Sequence, residues 1–249
     1  MLKPLVYQHP NFALGNFINI TPGIKRLSEI TQNKIDVYFA SPYVRECYID
    51  CSFINIVNEL NAAFTYSSKM VNQEIPDYQF SFKNMTGENW TKKYHTYIDK
   101  AQEIPPHQDS YLLLLNGLAG LSLNDADPKP YWYGKKEISE DYFLEIKKQS
   151  KLPIYFTGSA SDLKQNPWMV KIADHISIGN IRESLSLIRD ATQIISNDTG
   201  LAHAAAAMNK SMLILWKDTP FLKNQNPGEH TIYAQKNSWR QAIKDYVIL

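Results

Sequence analysis

The sequence carries almost no excess charge: 26 lysines and arginines face 25 aspartates and glutamates, a formal net charge of +1. Nucleic-acid binders usually show a basic excess or stripe. Here there are only short pairs such as Lys25-Arg26, Lys92-Lys93 and Lys147-Lys148, which read as scattered solvated charges. Cysteine is scarce as well. Cys47 and Cys51 have neither the redox spacing nor half of a four-ligand zinc site. They read as reduced thiols packed as small hydrophobes, which points to a reducing compartment. No stretch reaches the roughly 20 apolar residues needed to cross a bilayer. The opening Met-Leu-Lys-Pro runs into a short apolar piece broken by His9 and Pro10, unlike a secretory leader. Repeats, low-complexity tracts and clusters with metal-ligand spacing are absent from the pattern. What remains is globular: 249 residues, 44% hydrophobic and 20% charged, enough to bury a core without a metal or disulfide staple.

Periodicity predicts an alternation of strands and helices. Leu5–Tyr7 reads as a strand, followed by a loop with Pro10, Asn11 and Gly15. Phe17–Ile30 reads as a helix with Pro22 near its start, and Ile35–Ala40 as a second strand. Together they form a βαβ unit, the beginning of a parallel sheet. Ile54–Phe64 and Trp90–Gln102 read as helices, and residues 65 to 90 show no clear pattern. Ile104-Pro105-Pro106-His107 is the best linker. A new series follows. Its strands are Tyr111–Leu115, Pro153–Thr157, Ile176–Ile178, Gln193–Ser196 and Met212–Trp216. Its helices are Ser139–Gln149, Asn166–Ala173, Ile181–Arg189, Leu201–Met208 and a closing Ala242–Val247. The expected fold class is α/β, with two Rossmann-like domains facing each other across a cleft. Residues 1–108 form a short N-terminal domain and 109–249 a C-terminal one, whose last helix is a candidate to cross back. Ligands of such sheets sit at the carboxyl ends of the strands.

Residues 193 to 220 carry the most chemistry. The strand Gln193–Ser196 ends in the turn Asn197-Asp198-Thr199-Gly200, and an alanine-rich helix follows. The amides at a helix start and the helix dipole form an anion site, and Gly200 lets a ligand approach the backbone closely. His203, in the first turn, can reach the same mouth. The expected guest is a diphosphate. The competing reading is that Asp198 and Thr199 simply cap the helix and His203 is a satisfied core histidine.

The run Asp198-Thr199-Gly200-Leu201-Ala202-His203-Ala204-Ala205-Ala206 resembles the hallmark of glycosyltransferase family 9, the heptosyltransferases. Their Asp-(Ser/Thr)-Gly-x-x-His-x-Ala-Ala stretch is followed by a strand and a Gly-Pro-Thr turn. Met212–Trp216 and Lys217-Asp218-Thr219-Pro220 follow here, with Lys217 and Asp218 in place of Gly-Pro. Leu14–Leu27 is similar to the family's N-terminal loop and helix, Lys136–Phe143 to a Lys-x-Trp-Pro segment without its Trp and Pro, and Gly179–Ala191 to the stretch before the hallmark. The resemblance spans most of residues 5–40 and nearly all of 110–228. It implies the two-domain GT-B fold, with the donor bound by the C-terminal half.

Carried over by position, Asp198, Thr199, Gly200 and Leu201 meet the diphosphate and sugar, with His203 beside them. Thr219 takes the turn threonine's place, and Lys136 contacts a phosphate as a point charge. Asp162, just past Gly158 and Ser159, takes a ribose hydroxyl, and Gly179 lies where the base is approached. No cofactor or metal is implied, since helix termini and lysine neutralise the leaving diphosphate. The family's general base is an Asp after the N-terminal glycine, and here that position is Asn16. An amide is no base of useful pKa, so His9, on the same loop, is the substitute candidate. The implied partners are a nucleoside-diphosphate sugar and a glycan or glycolipid acceptor, with peripheral membrane contact among the expectations and nucleic acid disfavoured. The implied location is the cytoplasm, at the inner face of the membrane. Transfer to protein or modified DNA, or a non-catalytic binding module, are the alternatives.

Overall fold

The computed structural model describes residues 5–8, 14–59, 66–67, 77–89, 91, 96–98, 109–117, 138–217 and 230–247. They fall into two compact units, one within Met1–Asp99 and one within Lys100–Thr219 and Gly228–Leu249. Each is built on a parallel sheet.

The first unit holds β1 (Leu5–Gln8), α1 (Leu14–Thr31), β2 (Ile35–Phe39), α2 (Pro42–Glu46), β3 (Ile54–Val57), β4 (Tyr66–Ser67) and α3 (Asp77–Thr86). The strand order is β3-β2-β1-β4. The chain therefore steps outward one way from β1 and returns to its other side, a topological switch at the end of β1. Ile54–Val57 is a strand, not the start of a helix. Its Ile54, Asn55, Ile56 and Val57 pair in parallel with Ile35 to Tyr38, so sheet pairing overrides the helical spacing of the apolar residues that follow. The segment 65 to 90, patternless in sequence, supplies β4 and α3. The helix expected at Trp90–Gln102 lies largely outside the described residues, and Thr96–Ile98 within it is not helical. The linker expected at 104–107 also lies outside them.

Helix α1 is longer than expected, and Pro22 lies in its interior rather than near its start. A proline there cannot donate to the carbonyl of Ile18. The neighbouring Thr21 compensates: its Oγ1 donates to Ile18 O at 2.6 Å and accepts from Tyr97 N at 2.8 Å. Gly23 then allows α3 to come close, since a Cβ there would lie 2.8 Å from Met85 Sδ and 3.4 Å from the Phe82 Cα. Thr21→Val keeps the shape and removes both hydrogen bonds inside a fully buried site. It is expected to cost about 2 kcal/mol, read as a lower urea midpoint, while Thr21→Ser stays near the native value.

The second unit comprises β5 (Leu112–Leu115), α4 (Glu140–Gln149), β6 (Ile154–Gly158), α5 (Ala160–Gln165), α6 (Met169–Ile172), β7 (His175–Ile178), α7 (Ile181–Asp190), β8 (Gln193–Ser196), α8 (Gly200–Ala207), β9 (Met212–Trp216), β10 (Thr231–Gln235) and α9 (Trp239–Val247). The order β10-β9-β8-β5-β6-β7 puts a switch between β5 and β8. Leu112–Leu115 is buried at every position, as a strand covered on both faces requires. Phe143 and Ile146 of α4, Met169 and Ile172 of α6, and Trp239 and Ile243 of α9 cover one face. The closing helix starts three residues earlier than expected. Trp239 Nε1 donates to Ala234 O at 2.9 Å and Trp216 O at 3.2 Å, tying α9 to the ends of β9 and β10. Gln193 Nε2 donates to Tyr246 O at 2.8 Å at its other end. The edge strand β10 was not anticipated from sequence.

Candidate donor site at the carboxyl edge of the second sheet

All strands of the second sheet run parallel, so the loops that follow them share one edge. At the switch, β8 leads through Asn197 and Asp198 into α8. Thr199 is the N-cap, and its Oγ1 accepts from Leu201 N at 3.0 Å. The helix begins at Gly200, one residue before the expected start. The hydroxyl that accepts from Leu201 keeps its own proton to donate, and the Gly200 amide has no intrahelical acceptor. Five buried apolar residues, Leu201, Ala202, Ala204, Ala205 and Ala206, surround the axis.

The turn is braced from β5. Asn197 N donates to Leu115 O at 3.1 Å, and Asn197 Nδ2 to Gly117 O at 2.9 Å. Gly117 lies between the loops that follow β8 and β6: a Cβ there would sit 3.4 Å from Thr199 Cβ and 3.6 Å from Asp162 Oδ1. Asn116, fully buried, donates from Nδ2 to Asn166 Oδ1 at 3.0 Å and to Ile138 O at 3.4 Å, and accepts from Ile138 N at 3.4 Å. Asn166 in turn donates to Asp162 O at 2.7 Å. This amide pair joins the ends of β5 and α5 to the segment entering α4. Sequence reasoning missed Asn116, Gly117, Asn166 and Asn197. The signal available was Asn-Gly directly after the most buried strand of the sheet.

After β6, Ser159 caps α5 in a reciprocal box. Asp162 Oδ2 accepts from Ser159 N at 2.8 Å and from Ser159 Oγ at 2.7 Å, while Asp162 N donates to Ser159 Oγ at 3.1 Å. Gly158 leaves room for that carboxylate, since a Cβ would lie 3.1 Å from Asp162 Oδ2. Asp162 thus has a capping role, with its other oxygen on the Gly117 side. Gly179 ends β7 at φ +87° with nothing within 4 Å of a Cβ, the left-handed conformation that favours glycine. Asn180 then caps α7 through its Oδ1. His203 is buried in α8, with Nε2 3.8 Å from Asp198 Oδ1 and Nδ1 without a hydrogen-bond partner among the described residues. The competing reading of His203 as a satisfied core histidine therefore does not hold among the described residues. Lys136 and Thr219 lie outside the described residues.

In the first unit, Asn16 is half-buried in the first turn of α1, just past the switch at β1. His9 lies outside the described residues. Asn19, one turn further on the same face, is 4% exposed, and its Oδ1 has no hydrogen-bond partner among the described residues. It was not anticipated. Among the described residues, no group of three or more His, Cys, Asp or Glu could hold a metal ion, and no helix is long and apolar enough to cross a membrane.

Two parallel α/β units, the second with a capped small-residue helix opening at its switch point, make a fold of the GT-B type, as in the solved structures it resembles. Residues 142–242 match the family described as glycosyltransferase family 9 (heptosyltransferase), so this C-terminal segment is similar to that family. Solved structures agree on the fold. The ADP-heptose lipopolysaccharide heptosyltransferase II of E. coli superposes with a TM-score of 0.71 at 12% identity, covering 98% of this chain and 97% of that one. A family 9 glycosyltransferase from Veillonella parvula gives 0.68 at 12% identity over 94% and 87%. The E. coli heptosyltransferase WaaC with ADP gives 0.64 at 11% identity over 98% of each chain. No curated protein sequence matches the chain.

Proposed function

We propose that this protein transfers a heptose-like sugar or hexose from a nucleoside-diphosphate donor to a hydroxyl of a glycan or glycolipid, with inversion at the anomeric carbon. The observation that carries the reading is the mouth of α8, where the Thr199 cap, the Gly200 amide and the Asp198 carboxylate meet at the switch point beside Gly117. The diphosphate accepts from the Gly200 amide and the Thr199 hydroxyl, with Leu201 behind them. Asp198 accepts hydroxyls of the sugar, and Lys136 and Thr219 complete the anion site. Asp162 and Gly179 take the nucleoside side. The helix dipole and lysine offset the charge that grows on the leaving diphosphate, so no metal ion is required. The similarity to the solved ADP-heptose heptosyltransferase II and to WaaC with ADP supports an ADP-sugar as the first donor to try.

Residues 1–108 serve the acceptor and 109–249 the donor. The acceptor oxygen attacks the anomeric carbon as its bond to the diphosphate breaks, and the hydroxyl proton leaves to a base. Asn16 orients the acceptor by hydrogen bonding, and His9 is the base. The site of action is the inner face of the membrane, where a glycolipid acceptor is presented. The test is thermal shift against ADP-, GDP-, UDP- and TDP-sugars, followed by transfer assays. One class is expected to stabilise the chain by about 2.7 kcal/mol at 100 times its dissociation constant, and transfer is expected to follow. No stabilisation by any donor, or binding without transfer to any acceptor, would contradict the reading.

A further inference from the structure

Asp198 immediately precedes the cap residue Thr199, and His203 is the fourth residue of α8. In many helices these two positions carry an apolar pair that fixes the angle at which the chain enters. Here they carry a carboxylate and an imidazole. Nε2 of His203 lies 3.8 Å from Asp198 Oδ1, and the two side chains are 10% and 8% exposed. The separation exceeds a hydrogen bond, and lies within the range of a direct electrostatic contact. Nδ1 is buried with no partner among the described residues. A leucine would fill this place without leaving a buried nitrogen unsatisfied, so packing does not account for the residue.

We propose that His203 is the positioning residue of the donor site. From the first turn of α8 it turns the Asp198 carboxylate toward the sugar of the bound donor, donating to it through Nε2. The helix amides and Thr199 hold the diphosphate independently of it. The inference rests on the donor-site reading above and adds a division of labour: His203 and Asp198 recognise the sugar as a unit, and the start of α8 recognises the diphosphate.

The division is testable with ADP and ADP-heptose as probes on the full chain. His203→Ala is expected to weaken ADP-heptose roughly tenfold while leaving ADP affinity unchanged. His203→Gln, whose amide nitrogen can take the place of Nε2, is expected to restore most of the loss. His203→Asn, which is too short, is expected not to. The double variant Asp198→Ala/His203→Ala is expected to bind ADP-heptose no more weakly than Asp198→Ala alone, since coupled residues are not additive. Equal losses for ADP and ADP-heptose in both His203→Ala and His203→Gln would mark a packing role and overturn the inference. So would additive losses in the double variant. Native binding of both probes that His203→Ala leaves unchanged would overturn this inference alone. A native chain that binds neither would overturn the donor-site reading for this donor and the inference with it.

Discussion

Asp198→Ala is expected to lower kcat/KM for the donor sugar by roughly 100-fold, with ADP affinity held within a few-fold of native. Hydrogen bonds to a charged group contribute about 1.5–3 kcal/mol, and a carboxylate positioned at the reacting sugar acts in the transition state as well as the ground state. Asp198 is 7% exposed and stands one residue before the cap, so its truncation removes the carboxylate without removing the Thr199 hydroxyl that caps α8. Steady-state kinetics paired with ADP titration separates the two effects. A parallel fall in ADP affinity would mean that the helix start had been disturbed and that Asp198 serves the turn rather than the sugar.

The second large effect is expected on stability. Asn116→Ala is expected to cost about 3 kcal/mol, because several buried polar groups lose partners together. These are the Ile138 amide and carbonyl and the Asn166 side chain. For a chain of this size, that corresponds to a fall in melting temperature on the order of 5–10 °C. Asn116→Asp keeps the shape but loses the amide donor, and is expected to destabilise comparably at neutral pH. The donor affinity of Asn116→Ala is also expected to fall, since the same residue fixes the end of β5 next to Gly117, against which Thr199 and Asp162 are packed. Native-like melting of both variants would show that the amide pair carries no weight.

The parts of the fold that were legible from sequence are those whose local signal agrees with their tertiary role. Gln193–Ser196 and Met212–Trp216 are short apolar runs bounded by turn residues, buried at every position, and both appear as expected. The helix between them starts at its Thr-Gly step for a local reason, the cap. Where a partner distant in sequence decides, the local signal misleads. Ile54–Val57 carries apolar residues at helical spacing, yet β2 recruits it as a strand. Pro22 looks like a helix-start residue until Thr21 is seen to satisfy the orphaned Ile18 carbonyl. Asn116 looks like an ordinary loop asparagine because its partner lies 50 residues later. Asp198, Thr199, Gly200 and Leu201 could be picked out as candidates because they lie in one contiguous stretch. The contact between Asp198 and His203 needed the helix to be drawn, since only the helical turn brings a residue before the cap over the fourth residue within.

The central claim is that the start of α8 holds a diphosphate. The most direct measurement is a crystal structure of the full chain with a bound nucleoside diphosphate. The account predicts phosphate oxygens within hydrogen-bonding distance of the Gly200 amide and the Thr199 hydroxyl, with Asp198 facing the position the sugar would occupy. A nucleotide seated elsewhere, or a start of α8 that stays closed over by side chains in the complex, would contradict it.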